Sequence, residues 1–248
     1  MSHWYNQAGQ PAYEVENKAK GGMRPTTLRD AKQLNLVPSV TTVMDILDKP
    51  GLNRWKETQV LMSSLTLPRE KGDSDDLHMA KIRQDAKELS TLARDEGVRI
   101  HDSLESAFKD RTIDQRYRTI CNKVKEAVFE YFGFSDRWIA ETSFSYPKGF
   151  GGKVDLHNKD IHVVADFKTK EEFKTGKNGK VVKLAYDEQC IQLAAYREGL
   201  HMGYSRLVNI FVDYDGNTIF HEWQEDEIQR AWEMFCLILK LWKLQKRY

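Results

Sequence analysis

At Gly133 the hydrophobic pattern changes period, and this change constrains the fold more than any other feature of the chain. Before it, apolar residues recur at steps of three and four, the repeat of a helix with one buried face. After it come short alternating runs. Residues 138–146, 150–157 and 161–169 read as strands, joined by the turns Pro147-Lys148-Gly149 and Asn158-Lys159-Asp160. Connections this short permit only an antiparallel meander. A helix over 185–201 follows, closed by Gly203, then a strongly apolar strand over 206–212. The turn Asp215-Gly216, a strand over 218–223 and an amphipathic helix over 225–246 complete the chain. Strands followed by a helix and a further strand predict an α/β (α+β) protein, with a mixed central sheet flanked by helices.

The first 130 residues are expected to be mainly helical. Ala12-Tyr13-Glu14-Val15 reads as a short strand before a Gly21-Gly22 turn, and Thr26-Thr27 as the cap of a short helix. Trp4 and Tyr5 would contact a base or anchor the segment to the body. Pro38 favours an extended approach to a helix capped by Ser39 or Thr41, and Pro50-Gly51 would end that helix. Leu52 and Trp55 begin another apolar stripe, and residues 66–78 form a polar connector. Ile82, Ala86, Leu89, Ala93, Gly97, Ile100, Leu104 and Phe108 mark a long helix. A further helix over 120–132 ends at Gly133. The expected organisation is a single domain over 1–248, with a mainly helical N-terminal region over 1–130, the sheet and its following helix over 137–223, and a C-terminal helix over 225–247.

Composition narrows the partners. The net charge is only +1, so a nucleic-acid surface would have to be a local patch. The three cysteines, Cys121, Cys190 and Cys236, lack zinc-site spacing, and their odd number argues against a disulfide framework. They read as buried thiols of a reducing compartment. No apolar run is long enough to span a membrane, and no signal-peptide core begins the chain, so a cytoplasmic or other reducing intracellular setting is expected.

Two strands carry the candidate chemistry. Asp166 and Lys168 flank Phe167 in the third strand, so they share one face while Phe167 takes the other. Asp155 lies on the preceding strand. Two carboxylates beside an ammonium suit a divalent metal and a water next to a phosphate, and they equally suit a salt-bridged sheet surface. Lys168, Lys170, Lys174, Lys177, Lys180 and Lys183 form a basic run around Gly176 and Asn178-Gly179. This is either a phosphate-binding loop or a solvated hairpin tip. Ser39 and Thr41 offer hydroxyls to a phosphate as an alternative to capping. His101 lies at the edge of the long helix with Glu105 one turn on. Glu141, on the first strand, is a supporting acid or an ordinary ion-pair partner.

In order and spacing, His101, Gly152-x-x-Asp155, Asp166-Phe167-Lys168-Thr169 and Gln192-Leu193-Ala194-Ala195-Tyr196 resemble the RecB-like branch of the PD-(D/E)XK nucleases. Pro38-Ser39-Val40-Thr41, with Leu52 and Trp55 behind it, is similar to the opening of phage-encoded and mitochondrial genome maintenance exonucleases of that branch. Val154 stands where the family often has proline. The resemblance implies a restriction-endonuclease-like core with an N-terminal helical region. It implies a Mg²⁺ or Mn²⁺ site formed by His101, Asp155, Asp166 and the Phe167 carbonyl, with Lys168, Gln192 and Tyr196 completing the catalytic set. Glu105, one turn from His101, either orients that histidine or is an ordinary surface ion-pair partner. Three cysteines do not suffice for the iron–sulphur cluster of some relatives, so none is expected. No Walker-type loop is present, so no motor is expected within the chain.

The function implied is hydrolysis of DNA phosphodiester bonds, as an exonuclease on single strands or free ends, in recombination, repair or replication with partner proteins of those processes. Phage origin is among the implications. An endonuclease acting on duplexes or structured DNA shares the same chemistry, and a non-catalytic nucleic-acid-binding module shares the same fold.

Overall fold

A computed structural model of the chain describes residues 3–17, 21–135, 137–177 and 179–248. It divides into two compact units, Met1–Ile46 with Ser103–Tyr248, and Leu47–Asp102.

In the first unit, β1 (Trp4–Tyr5), β2 (Glu14–Glu16) and β3 (Met23–Pro25) precede α1 (Leu28–Gln33), β4 (Val37–Pro38) and α2 (Val40–Met44). β1 pairs with β4 and β2 with β3, both antiparallel. Thr27 and Asp30 form a reciprocal capping box that starts α1, as the threonine pair predicts. Trp4 is buried against Trp242 and Tyr248, with ring centroids 6.1 and 5.6 Å away, and Tyr5 is buried beneath Tyr13. Both aromatics are anchors, and neither offers a face to a base.

The second unit contains α3 (Pro50–Thr66) and most of α4 (Asp75–Phe108), which passes into the first unit at Ser103. Pro50 starts α3 rather than ending α2, which stops at Met44. Proline lacks the N–H that a first turn leaves unpaired anyway, so it suits the start of a helix. In α4 the expected apolar stripe is buried at Ala86, Ile100, Leu104 and Phe108, but Leu89 and Ala93 are exposed. Between α3 and α4, Lys81 joins Glu70 at 2.7 Å and Asp73 at 3.0 Å.

α5 (Arg118–Phe132) ends at Gly133, whose φ of 85° suits a residue without Cβ. Then come β5 (Ile139–Tyr146), β6 (Phe150–Asn158), β7 (Val163–Lys170), α6 (Asp187–Gly199), β8 (Arg206–Asp213), β9 (Thr218–Glu222) and α7 (Glu225–Lys246). The five strands form one mixed sheet in the order β5-β6-β7-β8-β9. Only β7 and β8 run parallel, joined by α6 as the crossover that a parallel pair requires. α6 packs on β5, β6, β7 and β8 and against α7. On the other face, Phe108 at the end of α4 meets Phe167 at 6.0 Å, and Tyr131 of α5 stacks on Phe220 of β9 at 4.2 Å. The result is a mixed α/β architecture, a five-stranded sheet between helices. α6 stops earlier than predicted, and the chain turns at His201, with φ of 55°, rather than at Gly203.

Candidate active site

The site arises where β6 and β7 stop pairing. Their antiparallel register runs Asn158 with Val163, His157 with Val164 and Leu156 with Ala165. Asp155 opposite Asp166 would be next, but the ladder ends there. The Phe167 N–H is satisfied instead by the Asp155 side chain, donating to Oδ2 at 2.9 Å. On its other edge, β7 remains paired with β8 over its whole length. The splayed strands leave the two carboxylates facing α6.

Gln192 and Tyr196 lie one turn apart on α6. Gln192 Nε2 lies 3.0 Å from Asp166 Oδ1 and 2.9 Å from the Tyr196 hydroxyl, one amide hydrogen for each. Its Oε1 accepts from Lys168 Nζ at 3.2 Å, and Lys168 Nζ also pairs with Asp166 Oδ2 at 2.6 Å. The structure thus brings together Asp155, Asp166, Lys168, Gln192 and Tyr196. Two glycines permit this approach. A Cβ on Gly152 would lie 2.9 Å from Tyr196 Cε1, and one on Gly199 would overlap the Phe144 ring. Gly152 therefore lets Tyr196 lie against β6.

A sixth residue carries no motif signal. Asn209 on β8 is paired with Asp166 in register and fully buried. Its Nδ2 donates to Asp166 Oδ2 at 3.1 Å, and its Oδ1 accepts from Trp223 Nε1 at 2.8 Å. The signal in the sequence is a lone amide inside Leu207-Val208-Asn209-Ile210-Phe211-Val212. A buried amide in an apolar strand requires partners. Asp166 therefore accepts from Gln192, Lys168 and Asn209.

Charge in the site is uneven. Burial, then the charge of Asp166, pushes the Asp155 carboxyl up to about 8. Burial alone would lower the Lys168 ammonium, but Asp166 and Asp155 outweigh it and hold the pKa above the usual value. Burial and the same two acids push the Tyr196 phenol well up. Burial, then the charge of Lys168, lowers Lys170 at the end of β7.

The remaining predicted residues are placed as follows. Phe167 is buried with its ring on the opposite face, towards Phe108. Glu141 sits on β5 in the left-handed region, with φ of 56°, and pairs with Lys153. A left-handed glutamate inside a strand is strained. Burial raises its pKa against the opposing pull of Lys153. Glu105 pairs with Lys109 at 2.5 Å and lies 3.8 Å from Arg111. Burial would raise its pKa, but Lys109 outweighs that and lowers it. His101 is half-buried on α4 within the Leu47–Asp102 unit. The buried Ser39 caps α2, accepting from Thr42 N at 3.0 Å and donating to Thr42 Oγ1 at 2.8 Å, so its hydroxyl serves the helix. Thr41 is exposed beside it, its hydroxyl 3.0 Å from Ser39 Oγ. Lys174 is exposed in a small hairpin in which Thr175 bridges Val181. Asn178, in the expected turn of that hairpin, lies outside the described residues.

Among the described residues, no three His, Cys, Asp or Glu side chains gather into a group that could hold a metal ion. Two carboxylates are nevertheless a fitting donor set for Mg²⁺, which keeps several waters and takes one or two carboxylates plus substrate phosphates. Burial first, and then the neighbouring Asp166, disfavours the ionised Asp155, and a cation between the two acids would offset both. No helix among the described residues is long and apolar enough to cross a membrane.

No protein-family model matches the chain, and no curated protein does. Among solved structures, one titled "Crystal structure of SSO0001" is similar at 12% identity, over 75% of this chain and 86% of that one, with a TM-score of 0.29.

Proposed function

We propose that this chain is a metal-dependent nuclease with the PD-(D/E)XK core of the RecB-like branch, hydrolysing DNA phosphodiester bonds on single strands or free ends. The observation that carries this reading is the convergence at Lys168. Its ammonium contacts both Asp166 and Gln192, while Asp155 lies at the strand position opposite Asp166. Desolvating two carboxylates and an ammonium to join strands that apolar residues already join is costly and stabilises little. The same set suits a reaction in which negative charge builds on a phosphate.

Asp155 and Asp166, with the Phe167 carbonyl, would hold Mg²⁺ or Mn²⁺. When bound, the ion would polarise a phosphoryl oxygen and make a coordinated water a better nucleophile. Lys168 carries a positive charge to the edge of the two acids and neutralises charge developing on the phosphate. Gln192 fixes the Asp166 carboxylate and the Lys168 ammonium in one orientation. Tyr196, held protonated, accepts from Gln192 and limits the amide to that rotamer. Asn209 fixes the other oxygen of Asp166 from the β8 side. Recombination, repair or replication would supply such substrates, along with the partner proteins of those processes.

The test is incubation of end-labelled linear and closed circular single strands with Mg²⁺ or Mn²⁺, comparing wild type with Asp166→Ala. Progressive shortening of the linear strand, intact circles and an inert variant are expected. Cut circles would move the assignment to an endonuclease. Binding without cleavage under every metal condition would leave a nucleic-acid-binding module.

A further inference from the structure

The N-terminal segment builds a pile of rings on β6, beside the acids. Tyr5 lies directly over Gly151, where an added Cβ would come within 3.0 Å of Tyr5 Cβ and Cδ2. The hydroxyls of Tyr5 and Tyr13 meet at 2.6 Å, and their rings stand edge to face with centroids 5.6 Å apart. His3 stacks on Tyr13, with centroids 4.6 Å apart and ring planes 26° from parallel. The main chain fixes the outer two rings in place. The His3 N–H donates to Thr42 Oγ1 at 2.9 Å, and its carbonyl accepts from the Ser39 N–H at 2.9 Å. The Tyr13 carbonyl accepts from the Thr26 N–H at 2.8 Å. Tyr5 is buried, Tyr13 half-buried and His3 exposed, so the pile rises from the core and ends in an imidazole at the surface.

This pile stands at the rim of the site. The Tyr13 hydroxyl is near enough to bear on the ionisation of both Tyr196 and Lys153, and Tyr196 is bonded to Gln192. Gly151 lies four residues before Asp155, about 13 Å along an extended strand. A ring there does not reach a phosphate at the acids, and is placed for a neighbouring nucleotide. Charge does not account for the pile. Lys153 is already paired with Glu141. Partial burial, and then nearby positive charge that includes Lys153, lowers the His3 pKa, so the imidazole is neutral at neutral pH. A neutral aromatic face held in one orientation suits a base, because every base has a π-face whatever its sequence. In a duplex the bases cover one another, so only an unpaired or terminal base has a face to offer.

We propose, taking the nuclease reading of the site as given, that the His3–Tyr13 stack is a base-stacking platform for an unpaired nucleotide neighbouring the cleaved bond. Single strands and frayed ends are then selected over paired duplex by a contact made outside the chemistry.

The test is binding of a fluorescein-labelled oligothymidine without divalent metal, so that nothing is cut, alongside a strand of equal length made of abasic sites. His3→Ala is expected to weaken binding of the thymidine strand about tenfold, the worth of one stacked base. Binding of the abasic strand should not change, and His3→Trp should restore binding of the thymidine strand. The salt dependence should be the same in wild type and His3→Ala, because no phosphate contact is removed. Equal loss on both strands, a changed salt dependence, unchanged binding of the thymidine strand by His3→Ala, or no binding of that strand by wild type would overturn the platform. Cleavage is read separately. A wild type that cuts while His3→Ala binds normally loses the platform and keeps the nuclease. A wild type that binds in the expected pattern but cuts under no metal condition keeps the platform and loses the nuclease.

Discussion

β7 has two neighbours and treats them differently. Towards β8 it pairs without interruption from Val163 with Arg206 to Lys170 with Asp213. Towards β6 pairing covers only Val163, Val164 and Ala165, and the strands separate where the acids begin. On the closed side, Leu207, Val208, Ile210 and Phe211 are fully buried, and the one polar insertion, Asn209, has both ends of its amide bonded. On the open side, a carboxylate replaces a main-chain acceptor, and a lysine lies among acids. A strand zipped along one edge can be left open along the other without losing its place. The closed edge sets the position of Asp166, and the open edge leaves the Asp155 carboxylate and the Lys168 ammonium beside it.

The largest effect that would sharpen this contrast is loss of chemistry without loss of fold. Lys168→Ala should reduce cleavage of an end-labelled strand by about a thousandfold, while the cooperative unfolding transition persists. Full activity in that variant would break the contrast by removing chemistry from the open edge. Next is a change on the closed edge. Asn209→Leu leaves Trp223 Nε1 unpaired and takes one donor from Asp166, and it should cost about 2–4 kcal/mol in urea unfolding. A neutral result would mean that the closed side does not hold Asp166. A third effect concerns the far strand of the open side. At Glu141, glycine should give a protein about 1 kcal/mol more stable than glutamine does, because both remove the charge but only glycine relieves the left-handed backbone. Equal stabilities would mean that β5 is not strained there.

The smallest effect is in pH dependence. His157 is buried in the paired stretch of β6, and burial, then the charge of Lys159, lowers its pKa below 6.5. The unfolded chain takes up a proton near pH 6.5 and the folded chain resists it, so this stability is present above pH 6.5 and is lost as the pH falls below it. Thermal unfolding of His157→Gln should show a shallower decline between neutral and mildly acidic pH than wild type. Identical slopes would assign the acid sensitivity to other groups, such as His3 and His221, whose pKa values burial also lowers.

The order of strands and helices from Gly133 onward is legible in the sequence because period and turn chemistry agree at each step: alternation in β5, β6 and β7, and a four-residue spacing on α6. Alternation puts Asp166 and Lys168 on one strand face and a four-residue spacing puts Gln192 and Tyr196 on one helix face, whereas their joining with Asp155 into one set comes from the family resemblance and not from spacing. Asn209 is not, because its partners come from β7 and from Trp223 just past β9, and a cross-strand bond leaves no trace in local spacing. The left-handed backbone at Glu141 is equally hidden, since nothing in a glutamate between Ala140 and Thr142 announces it. Pro50 misleads because one proline can close a helix or open the next, and only the neighbouring hydrogen bonds decide. Ser39 is ambiguous for a similar reason, its hydroxyl being a cap or a phosphate donor until its partners are known.

The hydrogen bond from the Phe167 N–H to Asp155 has a practical consequence. A main-chain proton that rests on a side-chain carboxylate shares the electronic state of that carboxylate. The Phe167 amide is thus a built-in spectroscopic probe, whose ¹H–¹⁵N resonance should move when Asp155 changes its load. Titrating the protein with a diamagnetic divalent ion, and following that one peak, would read occupancy at the acids in a protein that turns nothing over.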